Sequence, residues 1–186
     1  MQRAALSIFL TIGLVLLASF YWQPGGNPDA DPETVKRRMA LPQTYLEQVR
    51  AWQYDADGVL KEVLEADRAD YYARRDTSEL QQPRFYSHDG NDRSWTATAE
   101  LGTLRHSPGI LQLRRKVLLT NDQTGGTLST QAMTLNTRKN TARSQVPVTI
   151  TQNGSILRAD GMTANLNSER IVMSPNVEST YVQPQP

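Results

Sequence analysis

The 186-residue chain contains no cysteine, which removes disulfides, zinc–thiolate sites, thiol catalysis and lipoprotein attachment in one step. Only two histidines, His88 and His106, are available for metal or general-base chemistry. A net charge of +1 gives no electrostatic push toward nucleic acid. There is no G-x-S-x-G, P-loop or H-E-x-x-H pattern, and nothing places two carboxylates as acid and base. Catalysis is therefore the weakest of the functional expectations, and no cofactor or metal site is expected.

Charge is also missing locally. Residues 4–22, "AALSIFLTIGLVLLASFYW", carry none and end in Phe20, Tyr21 and Trp22. As a helix at about 1.5 Å per residue this run matches a bilayer core, with the aromatics at the interface. A cleaved signal peptide is the competing reading. "LLASFYW" offers no small-x-small cleavage site, so an uncleaved transmembrane anchor over 1–23 is favoured. Charge counting does not orient it: Arg3 is answered on the other side by Lys36, Arg37 and Arg38.

Residues 24–44 begin "PGGNPDADPE" and read as a tether rich in proline, glycine and acids. The folded domain is expected over 45–182, followed by a polar tail at 183–186. Within it, "YDADGVLKEVLEADRADYY" (54–72) is ambiguous. Leu60, Val63 and Leu64 fall at helical spacing among helix formers, but Asp57-Gly58 is a turn from which a strand can run.

Internal repetition resolves the choice. Segments starting at Leu64, Trp95, Leu128 and Leu157 are 31, 33 and 29 residues apart, and each reaches a polar turn after about ten residues. Those turns are "ARRDTS", "RHSPG", "TRKN" and "NSER"; Pro83, Pro147 and Pro175 then follow at offsets of 19, 19 and 18. The later copies are threonine-rich and alternating, as in "WTATAEL" and "VPVTITQNG", and suit strands. Residues 59–72 are accordingly expected as strand. Four such units without helices imply an elongated all-β body of two facing sheets.

Alternation places Leu64, Leu80, Leu101, Leu111, Leu113, Leu135, Val148, Ile150, Leu157, Ile171 and Val177 on the inner faces. The seam they line is either a filled core or an apolar slot. An open stack also leaves two edges able to accept a strand from another chain. Here these are residues 46–54, with Val49, Trp52 and Tyr54, and residues 176–182, with Val177, Tyr181 and Val182.

The remaining motifs favour plain readings. Asp55 to Gly58, "DADG", brings glycine two residues too early for an EF-hand and reads as a turn. Arg114-Arg115-Lys116 reads as a solvated basic run, with an anion-binding rim as the alternative. Asn153-Gly154-Ser155 fits a glycosylation sequon, but turn geometry explains it. His88 and His106 lie in "SHDGND" and "RHSPG" and are read as surface residues.

Taken together, the apolar N-terminus, the "Y54-x-x-x-G58-x-L60" hairpin opening, "L64-x-A66" running to "Y71-Y72", "Q82-P83", the four repeats and the tail "YVQPQP" resemble the LptC family. That family is the bitopic component of Gram-negative lipopolysaccharide export. The resemblance implies a twisted open β-jellyroll behind a single inner-membrane helix, facing the periplasm, with no enzymatic activity. It implies acceptance of lipopolysaccharide from an inner-membrane ABC transporter and delivery to a soluble periplasmic bridge protein, with acyl chains between the sheets. Leu80 matches a position that contacts lipid in the family, and Val148, Ile150 and Ile171 follow by repeat equivalence. The competing expectation is a membrane-tethered adaptor that recruits partners by strand addition and binds no lipid.

Overall fold

The computed structural model describes residues 41–89 and 92–181. The expected anchor, most of the tether, Val182 and the polar tail lie outside the described residues. Among those described, no helix is long and apolar enough to cross a membrane. The strands are β1 (Thr44–Tyr54), β2 (Leu60–Tyr72), β3 (Thr77–Gln81), β4 (Arg84–Asp89), β5 (Asp92–Thr98), β6 (Leu101–Arg105) and β7 (Ile110–Asn121). They continue with β8 (Thr127–Asn136), β9 (Thr141–Ser144), β10 (Val148–Gln152), β11 (Ser155–Ala159), β12 (Met162–Asn165), β13 (Arg170–Met173) and β14 (Glu178–Thr180). Apart from one 3-10 turn at Ala73–Arg75, the elements among the described residues are all strands.

β2 is a strand despite its helix-forming residues, because it is paired on both sides. β1 covers nearly its whole length, while β4 takes Glu62 to Glu65 and β3 takes Arg68 to Tyr72. Pairing and burial outweigh helix propensities of a few tenths of a kcal/mol per residue, about 0.7 at most.

The antiparallel ladders form one network folded into two facing layers. Layer one runs β1–β2–β3–β6–β7–β8–β9–β12–β13, and layer two runs β1–β2–β4–β5–β7–β8–β10–β11–β14. β1, β2, β7 and β8 are long enough to belong to both. Each crosses between layers at a break in its ladder: Gln48 opposite Asp67 in β1–β2, and Arg115-Lys116 opposite Gln131 in β7–β8. Arg115 and Lys116, two residues opposite one, form a bulge with left-handed φ values of 64° and 48°, and Gln48, one opposite one, is also left-handed at 51°.

Each repeat is one V laid across both layers. The four polar turns (73–76, 106–109, 137–140 and 166–169) all fall on the free rim of layer one. The links 82–83, 99–100, 145–147, 160–161 and 174–177 lie on the opposite, closed side, so Pro83, Pro147 and Pro175 mark corners. Proline suits these positions because it donates no N–H to a ladder. The corners also hydrogen-bond to one another: Gln82 N donates to Glu100 O at 2.9 Å and Glu100 N to Arg115 O at 3.0 Å. Gly102 sits where the corner is tightest, since a Cβ there would lie 3.0 Å from Pro83 Cγ and 3.4 Å from Leu80 Cβ.

Between the layers lies the core: Leu111, Leu113, Val117, Leu119, Leu128, Met133, Leu135 and Val148, with Ala97 and Ala142. Ala97, Val117 and Ala142 have no exposure at all, so the centre of the seam is filled.

Candidate binding slot

The V opens along its free rims, and the mouth is held by contacts between layers. Trp95 on β5 donates from Nε1 to Leu166 O in the β12–β13 turn at 3.1 Å. Beside it, Asn121 Nδ2 reaches Glu169 Oε1 at 3.4 Å, and Leu166 is itself buried. The Asn121 carboxamide is aimed by its own turn, its Oδ1 accepting from Gln123 N (3.0 Å) and Thr124 N (2.9 Å).

A cavity of about 200 Å³ lies on each side of Trp95 in the strand order of layer two. One is bounded by Leu64 and Phe85 of layer two, facing Leu104, His106 and Leu111 of layer one. The other is bounded by Trp95, Leu119, Leu128 and Ile150, with Glu169 and Ile171 opposite. Both are smaller than the ~300–1,000 Å³ typical of small-molecule pockets.

The first cavity contains an unexpected group. Glu62 shares the inner face of β2 with Leu64, because its ladder partners are Gln53 and Ser87. It is 8% exposed and makes no side-chain hydrogen bond or ion pair with a described residue. Burial pushes its carboxyl from an ordinary value of 4.5 up to about 7.

Most of the expected inner residues are where alternation put them. Leu80, Leu111, Leu113, Leu135 and Val148 are buried at 4% exposure or less, and Leu64, Ile150 and Ile171 pack half-buried against them. Leu157 is half-buried opposite Ile150, on the slot side of β11. Two assignments are corrected. Leu101 faces outward: it pairs with Gln81 and Arg114, while the inner positions of β6 are Gly102 and Leu104. Val177 follows the last corner and is 52% exposed, so it lines no slot.

Phe85, Trp95, Leu104, Val117, Leu119, Leu128 and Met133 belong to the interior and were not identified from the sequence. Their signal was present as alternation in "VLLTN" and "LSTQAMTL". It was obscured by the break at Gln131, which moves the inner set of β8 from Leu128 and Thr130 to Met133 and Leu135.

β1 is the outer strand of both layers at the N-terminal end. Trp52 and Tyr54 are 54% and 57% exposed there, whereas Val49 points into the slot opposite Ala66. At the other end the outer strands are β13 in layer one and the three-residue β14 in layer two, with Val172 and Tyr181 exposed. The C-terminal edge therefore begins at Arg170, six residues before the expected segment.

Asp55 closes the β1–β2 turn, accepting from Asp57 N at 3.0 Å and Val59 N at 2.9 Å, with Gly58 at φ +78°. The Val59 N–H is the main cause holding its carboxyl below the usual range. Arg114 to Lys116 is the exposed outer corner of β7, where Lys116 pairs with Glu100 at 2.6 Å. His106 is exposed, yet its Nε2 lies 2.9 Å from Ser78 Oγ and its ring meets Tyr71 edge-on at 5.5 Å. His88 is half-buried beside a register shift, with Nδ1 enclosed and unbonded, which corrects its reading as a surface residue.

Comparison with known proteins agrees with this architecture. The crystal structure of LptH from Pseudomonas aeruginosa, described as the LptA homologous periplasmic component of the conserved lipopolysaccharide transport device, superposes with a TM-score of 0.54 at 10% identity. The match covers 66% of this chain and 95% of that one, and at such identity it speaks for the fold alone. No curated protein matches the chain. A family model described as "Lipopolysaccharide-assembly, LptC-related" matches residues 9–182, nearly the whole length. With the jellyroll of folded repeats and its open edges, that match makes the chain a member of the LptC-related lipopolysaccharide-assembly family.

Proposed function

We propose that this protein is a non-catalytic carrier in lipopolysaccharide export, anchored in the inner membrane by residues 4–22 with its β domain in the periplasm. It takes lipopolysaccharide from an inner-membrane ABC transporter and passes it to a soluble periplasmic bridge protein. The acyl chains lie between the layers. The observation that carries this reading is the mouth of the V, held at its centre by Trp95–Leu166 and Asn121–Glu169, with a cavity of mixed apolar and polar lining on either side.

A chain entering from the rim replaces contacts among Leu111, Leu119, Leu128 and their neighbours with contacts to itself. Each buried methylene is worth about 0.8 kcal/mol whichever apolar wall it meets. Transfer between similar slots is therefore close to neutral, and the direction of travel comes from the transporter. β1 at one end and β13 with β14 at the other, each without a further strand partner among the described residues, offer backbone for strand addition to the donor and acceptor.

The filled centre, with Ala97, Val117 and Ala142 fully enclosed, favours a second reading, a tethered adaptor whose core only packs. Native mass spectrometry of the full chain released from lipid nanodiscs after incubation with lipopolysaccharide separates the two. A carrier gains the mass of one lipopolysaccharide. A folded chain that never does so is an adaptor.

A further inference from the structure

Glu62 is the one carboxylate among the described residues that is more than nine-tenths buried, and no described side chain pairs with it. It opens onto a cavity in which Leu64, Phe85, Leu104 and Leu111 supply apolar wall and Gln53, His106 and Thr137 supply polar wall. Lys61, the adjacent cation, lies on the other face of β2 with Asp55, 3.5 Å away. The Glu62 oxygens face the cavity and not a protein partner, and a donor that meets one there is held strongly where the adjoining wall is apolar.

We propose that this cavity is a selectivity site for an acyl chain that carries its own hydrogen-bond donor, a hydroxyl or an amide N–H, close to the hydrocarbon. Glu62 accepts from that donor while Leu64, Phe85, Leu104 and Leu111 hold the adjoining methylenes. A neutral donor fits better than an ammonium, since bringing a full charge into this pocket forfeits far more hydration than bringing in a hydroxyl. A volume of about 200 Å³ admits a segment of one chain and not a whole lipid. The inference rests on the carrier reading, which supplies the acylated ligand, and adds to it the residue and the chemical feature that are recognised.

The test uses the full chain in nanodiscs with a photo-crosslinking side chain at Leu104, lipopolysaccharide as the crosslinked lipid, and two neutral competitors of equal length. These are methyl 3-hydroxydodecanoate and methyl dodecanoate. In the otherwise wild-type chain the hydroxylated ester should suppress the adduct at about tenfold lower concentration. Glu62→Gln, which keeps an acceptor of the same shape, should retain part of that preference, and Glu62→Leu should abolish it. Equal competition by the two esters in the wild-type background, or a preference undiminished in Glu62→Leu, would overturn the proposal while the adduct itself upholds the carrier. Absence of any lipopolysaccharide adduct at Leu104, with the chain shown to be folded by circular dichroism, would sink the carrier reading and this inference with it.

Discussion

Replacing Glu62 by Gln should make the protein more stable, and only above a defined pH. The folded state holds the Glu62 proton up to about pH 7, whereas the unfolded chain releases it near 4.5. Folding therefore binds a proton between these values, and stability falls as pH rises from about 4.5 to about 7 and stays level beyond. At about 1.4 kcal/mol per pH unit the interval sets a ceiling of about 3 kcal/mol; water at the cavity mouth screens the charge, leaving about 1–2 kcal/mol. The groups facing Glu62 are Gln53 and Ser87 along the ladders and His106 across the cavity. All three neighbours are present in both proteins, so the difference between wild type and Glu62→Gln isolates the carboxyl. Urea unfolding of the nanodisc-embedded chain, followed by circular dichroism at pH 4.5 and pH 8, measures that difference. The variant should match the wild type at the lower pH and exceed it by about 1–2 kcal/mol at the higher one. A gap that is the same at both pH values, or that favours the wild type at pH 8, would show that Glu62 is not desolvated in the slot.

Four further substitutions bear on the fold and the mouth. Trp95→Phe keeps a ring but deprives Leu166 O of its donor; it should cost about 1–3 kcal/mol and speed amide exchange at residues 166–169 without affecting the β1–β2 hairpin. Gly161→Ala would bring a Cβ within 3.0 Å of Ser144 O and 3.2 Å of Ser174 O, both backbone, and should lower stability by about 1–3 kcal/mol in thermal unfolding. Leu111→Ala should cost about 2–5 kcal/mol in denaturant, and Leu101→Ala less than about 1, because only the first faces the core. Equal losses from the last two would return Leu101 to the interior.

The layout of the repeats was legible in the sequence because its punctuation is local. The four polar turns became the layer-one rim and the three prolines the corners, since turn residues and missing N–H groups act where they stand. The facing of the strands was less legible, because alternation survives only between the crossings. Gln48, Asp67, Gln131 and the Arg115-Lys116 pair break the ladders, and polar residues at a bulge look like any others on a solvated strand. Leu101 was misplaced because its inner neighbour Gly102 has no side chain to announce the face. Glu62 was overlooked because a charged residue reads as outward even when it alternates with Leu64. The role of Trp95 had no local signal at all: its partner lies 71 residues away.

The central claim, that lipid acyl chains lie between the two layers, is tested most directly by scanning β8 one residue at a time. A photo-crosslinking side chain is placed at each position from Thr127 to Asn136 in cells exporting lipopolysaccharide, with exposed Arg138 as control. The account predicts adducts at Leu128, Thr130, Met133 and Leu135 and none at Ser129, Gln131, Thr134 or Arg138, so that the pattern changes phase where the strand crosses between layers. Adducts that ignore this phase change, or that cluster at the outward positions, would contradict it.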